Sequence, residues 1–207
     1  MINKEEFGRV LVELRKNEKR KFSQTVDLII NLKNFDIKRE NVNLIVSVPH
    51  KFRKIKAVAF LTSKSNAVDT ITKPEFEKYK GKFAKRLVEE YDFFIAHASL
   101  MPSIATSFGK YLGPAGKMPS PQLGIIIKED EATIQEIIKK AETAIRVKTK
   151  EPSMKFAIGK EDMKDEDIAE NAFTVYSAVL NALPKQKENL KSVMLKLTMT
   201  KPIKLAV

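Results

Sequence analysis

The chain has 207 residues, of which 43% are hydrophobic, so it is long enough to fold around a core as one large domain or two small ones. Its 38 Lys and Arg residues outnumber 26 Asp and Glu residues, and the formal charge of +12 indicates either a polyanionic partner, such as a nucleic acid, or merely a solubilising surface. It contains no cysteine, which excludes disulfides, thiol nucleophiles and thiolate zinc sites.

The N-terminal segment predicts a short amphipathic helix. Asn3 and Glu6 have the spacing of a capping box, and apolar residues recur at helical intervals from Phe7 to Leu14. This polar start is unlike a signal peptide, and no apolar run in the chain approaches the roughly 20 residues of a membrane span. We therefore expect a cytoplasmic protein without a membrane partner.

A basic run after this helix leads into two segments with the alternation of β-strands. Apolar residues occupy every second position along residues 26–32 and again along residues 44–48. Pro49 ends the second segment, because proline cannot donate a hydrogen bond to a sheet. Both strands are therefore predicted to bury one face.

From about residue 52 to residue 147 the pattern changes. Short continuous apolar runs, typical of strands covered on both faces, alternate with helical periodicity. The apolar runs are residues 58–61, 93–96 and 125–127, and the helical segments are residues 76–87, 101–108 and 134–145. This order predicts a parallel α/β unit.

The last part of the chain returns to the pattern of the first part, in which strands alternate between apolar and polar residues. Residues 154–158 alternate, a helical pattern runs from Ile168 to Val179, and residues 193–197 alternate again. The sequence therefore predicts an α/β protein of two domains. A discontinuous α+β domain is built from residues 1–51 and 148–207, and a parallel α/β domain of residues 52–147 is inserted into it.

The segment of residues 109–124 is the most loop-like, since it holds four of the seven glycines and three of the nine prolines. Gly113, Gly116 and Lys117 lack the spacing of a phosphate-binding P-loop, and Met118 stands where Ser or Thr would hold magnesium. A basic, proline-stiffened surface loop is the better interpretation.

Other candidate sites also have simple structural interpretations. The acidic cluster of residues 161–167 lacks the ligand spacing of a calcium loop, and its place before a helix is sufficient explanation. Neither His50 nor His97 has a nucleophile or acid partner by motif, and His97 is expected to be packed at the end of a strand. The sequence thus predicts no catalytic residue, no metal and no cofactor.

Phe22 allows two interpretations. It is a core residue, or it lies against a ribose or base, because it follows a basic run and precedes an alternating strand. The pattern alone does not separate these alternatives.

Four segments in order resemble the universal L-one family of large ribosomal subunit proteins, in its archaeal form. They are KFSQTVDLIINL (residues 21–32), YDFFIA (91–96), LGPAGKMP (112–119) and KSVMLKLTM (191–199). The resemblance covers essentially the whole chain. It implies an end-built RNA-binding domain with an inserted Rossmann-like domain, which agrees with the pattern described above.

The resemblance also implies a function without catalysis. Members of the family hold a helical stalk of large-subunit rRNA beside the tRNA exit site, among other ribosome components. They contact deacylated tRNA as it leaves, and they repress translation of their own mRNA through a similar RNA fold. The same three RNA partners are expected for this chain on the ribosome.

Site residues carry over from the family's motifs to matching positions. The expected RNA contacts are Lys21, Phe22 and Thr25 from the first strand region, Lys160 from the Gly159-Lys160 pair, and Ser192, Thr198 and Met199 from the last strand region.

The chain also departs from the family at several positions. Ala115 stands at an arginine position, and residues 51–53 replace glycines. Thr200 replaces a glycine, and we expect it to keep an ordinary extended backbone, since strain at a β-branched residue costs about 1 to 3 kcal/mol.

Overall fold

The computed structural model describes residues 2–18, 20–36, 40, 42–79, 81–149 and 151–205. In chain order the helices and strands are α1 (Lys4–Leu14), β1 (Thr25–Leu32), β2 (Asn43–Ser47), β3 (Ala57–Leu61), β4 (Asp69–Thr72), α2 (Lys82–Glu90), β5 (Phe93–His97), α3 (Met101–Ala115), β6 (Ile125–Ile126), α4 (Glu131–Thr143), β7 (Ala144–Lys148), β8 (Ser153–Lys160), α5 (Asp165–Ala182), β9 (Leu190–Leu197) and β10 (Ile203–Lys204). The chain divides into two compact units. We call them the end-built unit (Met1–Arg53 with Thr143–Val207) and the inserted unit (Lys54–Glu142).

The end-built unit contains an antiparallel sheet with the strand order β10-β9-β1-β8. One of its two inner strands, β1, comes from the first part of the chain, and both neighbours of β1 come from the last part. Every second residue of β1, from Val26 to Leu32, is buried in one core with residues of α1 and α5. The predicted alternation is therefore confirmed except at Ile29, which points to the other face and is also buried. A separate antiparallel pair joins β2 to β7.

The inserted unit contains a parallel sheet with the strand order β4-β3-β5-β6. Along β3, Val58 and Phe60 pack with residues of α2 and α3, whereas Ala59 and Leu61 pack with Ile134 of α4. Burial on both faces explains the continuous apolar runs in the sequence. The predicted fold class, a two-domain α/β chain with an inserted parallel α/β domain, is confirmed.

The predicted loop of residues 109–124 is helical up to Ala115. Helix α3 runs to Ala115, because Ile104, Phe108 and Leu112 are buried at helical spacing and outweigh the glycines. Gly116 ends this helix with a φ of 70°, a left-handed conformation that glycine adopts without strain. Lys117 donates hydrogen bonds to the carbonyls of Val88 and Tyr91, at 2.8 and 2.9 Å. These bonds give Lys117 a structural role at the end of α2.

Two other helix predictions differ from the structure at their ends. The segment predicted as residues 76–87 is a 3-10 turn, Lys73–Glu77, followed by α2. The helix predicted to reach Ile145 stops at Thr143, because Ile145 pairs with Val46 in the β2–β7 ladder. Residues 143–147, which the sequence pattern assigns to the inserted domain, lie in the end-built unit.

At the N-terminus, Asn3 does precede the first turn of α1, but its side chain makes no capping hydrogen bond. The predicted capping box is therefore wrong, although the helix is present. Among the residues that the structure describes, no helix is both long enough and apolar enough to cross a bilayer.

Candidate nucleic-acid interface

The sheet of the end-built unit has a second face that points away from α1 and α5. On β1 this face carries Thr25, Asp27, Ile29 and Asn31, which alternate with the core residues. Their cross-strand neighbours include Lys155 and Lys160 on β8 and Ser192, Met194 and Lys196 on β9. We call this set of residues the open face.

The open face has a basic character. Lys155 and Lys160 are exposed, and Lys196 is half-buried directly opposite Asp27. Burial raises the pKa of the Asp27 carboxyl, and the Lys196 ammonium offsets part of that rise. Three lysines against one aspartate leave a net positive surface. Such a surface attracts the phosphates of a nucleic acid whatever its base sequence.

Four of the seven predicted contact residues, Thr25, Lys160, Thr198 and Met199, lie at one end of the open face, and Lys21 and Phe22 shortly precede Thr25 in the chain. The start of β1, the end of β8 and the end of β9 meet there, because both neighbours of β1 run antiparallel to it. We call this place the sheet corner, and it comprises Lys21, Phe22, Thr25, Lys160, Thr198 and Met199.

Thr25 and Thr198 join the start of β1 to the end of β9 at the sheet corner. The N–H of Thr198 donates to the carbonyl of Thr25 at 3.1 Å. In return the N–H of Thr25 donates to Oγ1 of Thr198 at 3.0 Å. The hydroxyl of Thr198 therefore has a protein partner as well as an exposed position, so removing it affects the fold of the corner.

The two large apolar residues of the sheet corner lie in solvent. Phe22 is 52% exposed and Met199 is 62% exposed. The interpretation of Phe22 as a core residue is therefore wrong. A protein that exposes two such side chains beside lysines presents a surface suited to a ribose or base, which has an apolar face and polar edges.

Ser192 lies apart from the other predicted contacts. It is buried on β9, and its hydroxyl accepts a hydrogen bond from the Asn31 amide at 2.9 Å. Six residues along an extended strand separate it from Thr198, a distance of roughly 20 Å. Both residues belong to the same side of the sheet, but at its opposite ends.

Gln24 is a residue of this site that motif reasoning did not identify. It is 1% exposed, and its side-chain oxygen accepts a hydrogen bond from the N–H of Met199 at 3.1 Å. The side-chain amide nitrogen of Gln24 donates to the Glu161 carboxylate at 3.3 Å. The backbone N–H of Glu161 donates to the backbone carbonyl of Gln24 at 2.8 Å. One buried side chain thus positions the Met199 backbone. The sequence does contain one signal for Gln24, because it is a polar residue at an inward-facing position of the alternating pattern.

The acidic cluster has two structural roles. Asp165, Glu166 and Asp167 occupy the first turn of α5, as predicted. Asp162 accepts a hydrogen bond from the hydroxyl of Ser23 and so fixes the segment that precedes β1. Within the described part of the chain, no group of His, Cys, Asp and Glu side chains could hold a metal ion.

Gly159 is required by packing. A β-carbon at this position would lie 2.9 Å from Cγ1 of Ile168, closer than carbon atoms approach. The Gly159-Lys160 pair therefore combines a small residue that lets α5 approach β8 with an exposed lysine at the sheet corner.

Thr200 closes the turn that follows β9. Its N–H donates to the carbonyl of Leu197 at 3.1 Å, and its Oγ1 accepts from the N–H of Leu197 at 3.0 Å. Thr200 is not among the described non-glycine residues with positive φ, which are Asn34 and Gln186. The predicted absence of a positive φ is confirmed, but Thr200 lies at a bend and not in an extended strand.

We expect Thr200→Gly to lower the free energy of unfolding by about 1 to 2 kcal/mol. The variant loses a side-chain hydrogen bond and gains a more flexible unfolded chain. Urea unfolding measures the change, and Thr200→Ser, which keeps the hydroxyl, should lose less than half as much. A glycine variant that is more stable than the parent would contradict this account of the turn.

Comparison with known proteins gives consistent matches. The model of the ribosomal protein L1p/L10e family matches residues 14–201. The chain is 36% identical over 197 residues to large ribosomal subunit protein uL1 of Thermococcus kodakarensis, covering 89% of each chain. It is 34% identical over 196 residues to uL1 of Nanoarchaeum equitans, covering 89% of this chain and 92% of the relative. It is 35% identical over 214 residues to uL1 of Archaeoglobus fulgidus, covering 96% of each.

Proposed function

Because the chain belongs to the ribosomal protein L1p/L10e family, and is thus a structural protein of the large ribosomal subunit, we propose that its sheet corner and open face hold a helical stalk of large-subunit rRNA. The observation that supports this proposal is the sheet corner itself. It joins residues 173 positions apart, Thr25 and Thr198, and surrounds them with exposed cations and apolar side chains.

The proposed contacts divide into two kinds. Lys21, Lys160 and the lysines of the open face attract phosphates, which positions the protein without regard to sequence. The hydroxyls of Thr25 and Thr198 bond 2′-hydroxyls and base edges in a folded RNA. Phe22 and Met199 exclude water from those bonds, and each bond is stronger in the lower local dielectric.

The same proposal includes more specific roles on the ribosome. The rRNA stalk lies next to the tRNA exit site, the protein contacts deacylated tRNA and assists its release, and it represses translation of its own mRNA through a similar RNA fold. The end-built unit, residues 1–53 and 143–207, provides the RNA-binding domain, and Ser192 extends the contact toward the far end of the open face. The chain acts through binding and without catalysis, in the cytoplasm.

A matched pair of variants tests the role of the Thr198 hydroxyl. Thr198→Val keeps the shape and removes the hydroxyl, so binding to an rRNA stalk fragment should weaken by roughly 5- to 150-fold, which corresponds to about 1 to 3 kcal/mol. Stability should also fall, by about 0.5 to 1.5 kcal/mol, because the N–H of Thr25 loses its acceptor. Thr198→Ser should retain most of the RNA affinity, as measured by filter binding.

Lys21→Ala is the control for non-specific attraction. It should weaken binding to every RNA and reduce the log-log salt slope by about 1, whereas Thr198→Val should leave that slope unchanged. A serine variant that binds as poorly as the valine variant would show that the hydroxyl does not read the RNA. A salt slope near zero in the parent would exclude an RNA partner.

A further inference from the structure

The parallel sheet of the inserted unit has a topological switch point. Strand β4 lies on one side of β3, and the chain then crosses back to place β5 and β6 on the other side. In open α/β sheets a ligand crevice forms where the strand order reverses, outside the carboxyl ends of the strands. Here that point lies beyond Leu61 of β3 and His97 of β5.

The loop after β6 folds back across this point. Nε2 of His97 lies 2.8 Å from the carbonyl oxygen of Ile127, and because a carbonyl can only accept, the ring hydrogen is on Nε2. Nδ1 of His97 is then an acceptor, and the hydroxyl of Ser99 lies 2.7 Å from it. His97 therefore ties the end of β5 to the loop that carries Glu129.

Four donors after β3 converge on the carboxylate of Glu129. The N–H and the hydroxyl of Thr62 each donate to it at 2.7 Å. The N–H and the hydroxyl of Ser63 donate at 3.3 and 3.0 Å. Burial alone would raise the pKa of Glu129, but the hydrogen bonds from Thr62 and Ser63 together outweigh it and lower the pKa, so the carboxylate is ionised at neutral pH.

Successive backbone N–H groups with flanking hydroxyls form the kind of concave donor set that binds oxyanions such as phosphate. We propose that the Thr62–Ser63 donor set is an oxyanion-binding site at the switch point, that its resident ligand is the Glu129 carboxylate, and that it accepts a phosphate group when this carboxylate is withdrawn.

The proposal accounts for the position of Glu129. A carboxylate carries charge and acceptors similar to those of one edge of a phosphate, so it satisfies the same donors without an external ligand. Because Glu129 is part of the same chain, its local concentration far exceeds that of a free anion. The parent protein therefore keeps the site closed, and a nucleotide phosphate cannot enter at the point where other open α/β sheets hold one.

The test uses the full-length chain and inorganic phosphate. In Glu129→Ala, phosphate should shift the amide NMR signals of Thr62 and Ser63 saturably, with potassium chloride at matched ionic strength as the comparison. The parent should show no saturable shift at these two amides over the same range. Adding Thr62→Val and Ser63→Ala to the alanine variant removes two donors and should weaken the phosphate response severalfold.

A thermal measurement keeps the test valid if Glu129→Ala folds poorly. Phosphate should raise the Tm of Glu129→Ala more than that of the parent, because a ligand that binds only the folded state stabilises it. The triple variant should show a much smaller difference. Equal Tm shifts in the parent and in Glu129→Ala, or phosphate shifts confined to lysine-rich surfaces away from Thr62 and Ser63, would overturn the proposal.

Discussion

Replacing Asn171 by leucine is expected to lower the free energy of unfolding of the full chain by about 3 kcal/mol or more. Asn171 is fully buried on α5. Its side-chain oxygen accepts from the N–H of His50 at 3.0 Å, and its amide donates to the carbonyls of His50 and Ile158 at 2.9 and 3.0 Å. Leucine fills the same space but leaves the N–H and carbonyl of His50 and the buried carbonyl of Ile158 without this partner, and each loss costs about 1 to 3 kcal/mol.

Asn17→Leu provides the matched control. The Asn17 amide donates to the carbonyl of Leu14 at 2.8 Å, but this bond caps an exposed helix end where water can replace it. Its loss should therefore cost less than about 1 kcal/mol in the same urea unfolding experiment. Similar losses in both variants would show that burial does not determine the contribution of Asn171.

Excision of the inserted unit should leave a folded RNA-binding protein when residue 53 is joined to residue 143 by a short Gly-Ser linker. The two cut ends lie close together, since the N–H of Val48 donates to the carbonyl of Thr143 at 2.9 Å and the Arg53 side chain donates to the carbonyl of Ala144 at 2.9 Å. Circular dichroism and binding to the stalk fragment measure the outcome.

The cut at the boundaries predicted from sequence provides the comparison. Joining residue 51 to residue 148 removes most of β7, including Ile145 and Val147, which are buried in the core and pair with β2. Burial of two such side chains stabilises a protein by roughly 3 to 6 kcal/mol, so the shorter version should be much less stable or unfolded. If the longer version is unfolded, the discontinuous-domain assignment is wrong; if it is folded but does not bind RNA, the proposed interface is wrong.

Periodicity predicted the elements well wherever one face of a strand or helix is buried. The alternation along β1 and β9 is visible in the sequence because the helices cover only one side of their sheet. The end of α4 was not predictable in this way, since Ile134, Ile138, Ala141 and Ile145 continue a helical spacing into β7. Pairing with β2, a contact distant in sequence, overrides that local pattern.

The proposed interface could be predicted only in part. Family motifs supplied the candidate residues, but they could not show that Phe22 is exposed or that Ser192 is buried. Gln24 remained unidentified because its role depends on Glu161 and Met199, which are remote in the chain. Hydrogen bonds between distant segments leave no periodic trace, whereas burial of a strand face does.

The hydrogen bonds between Thr25 and Thr198 also have a consequence during synthesis of the chain. Strand β1 emerges early during synthesis, but both of its neighbours in the sheet are translated only after the inserted unit. The inserted unit, in contrast, is contiguous and is complete by residue 142. A nascent or prematurely terminated chain thus lacks half of the sheet corner, so the proposed RNA contact requires a nearly full-length product.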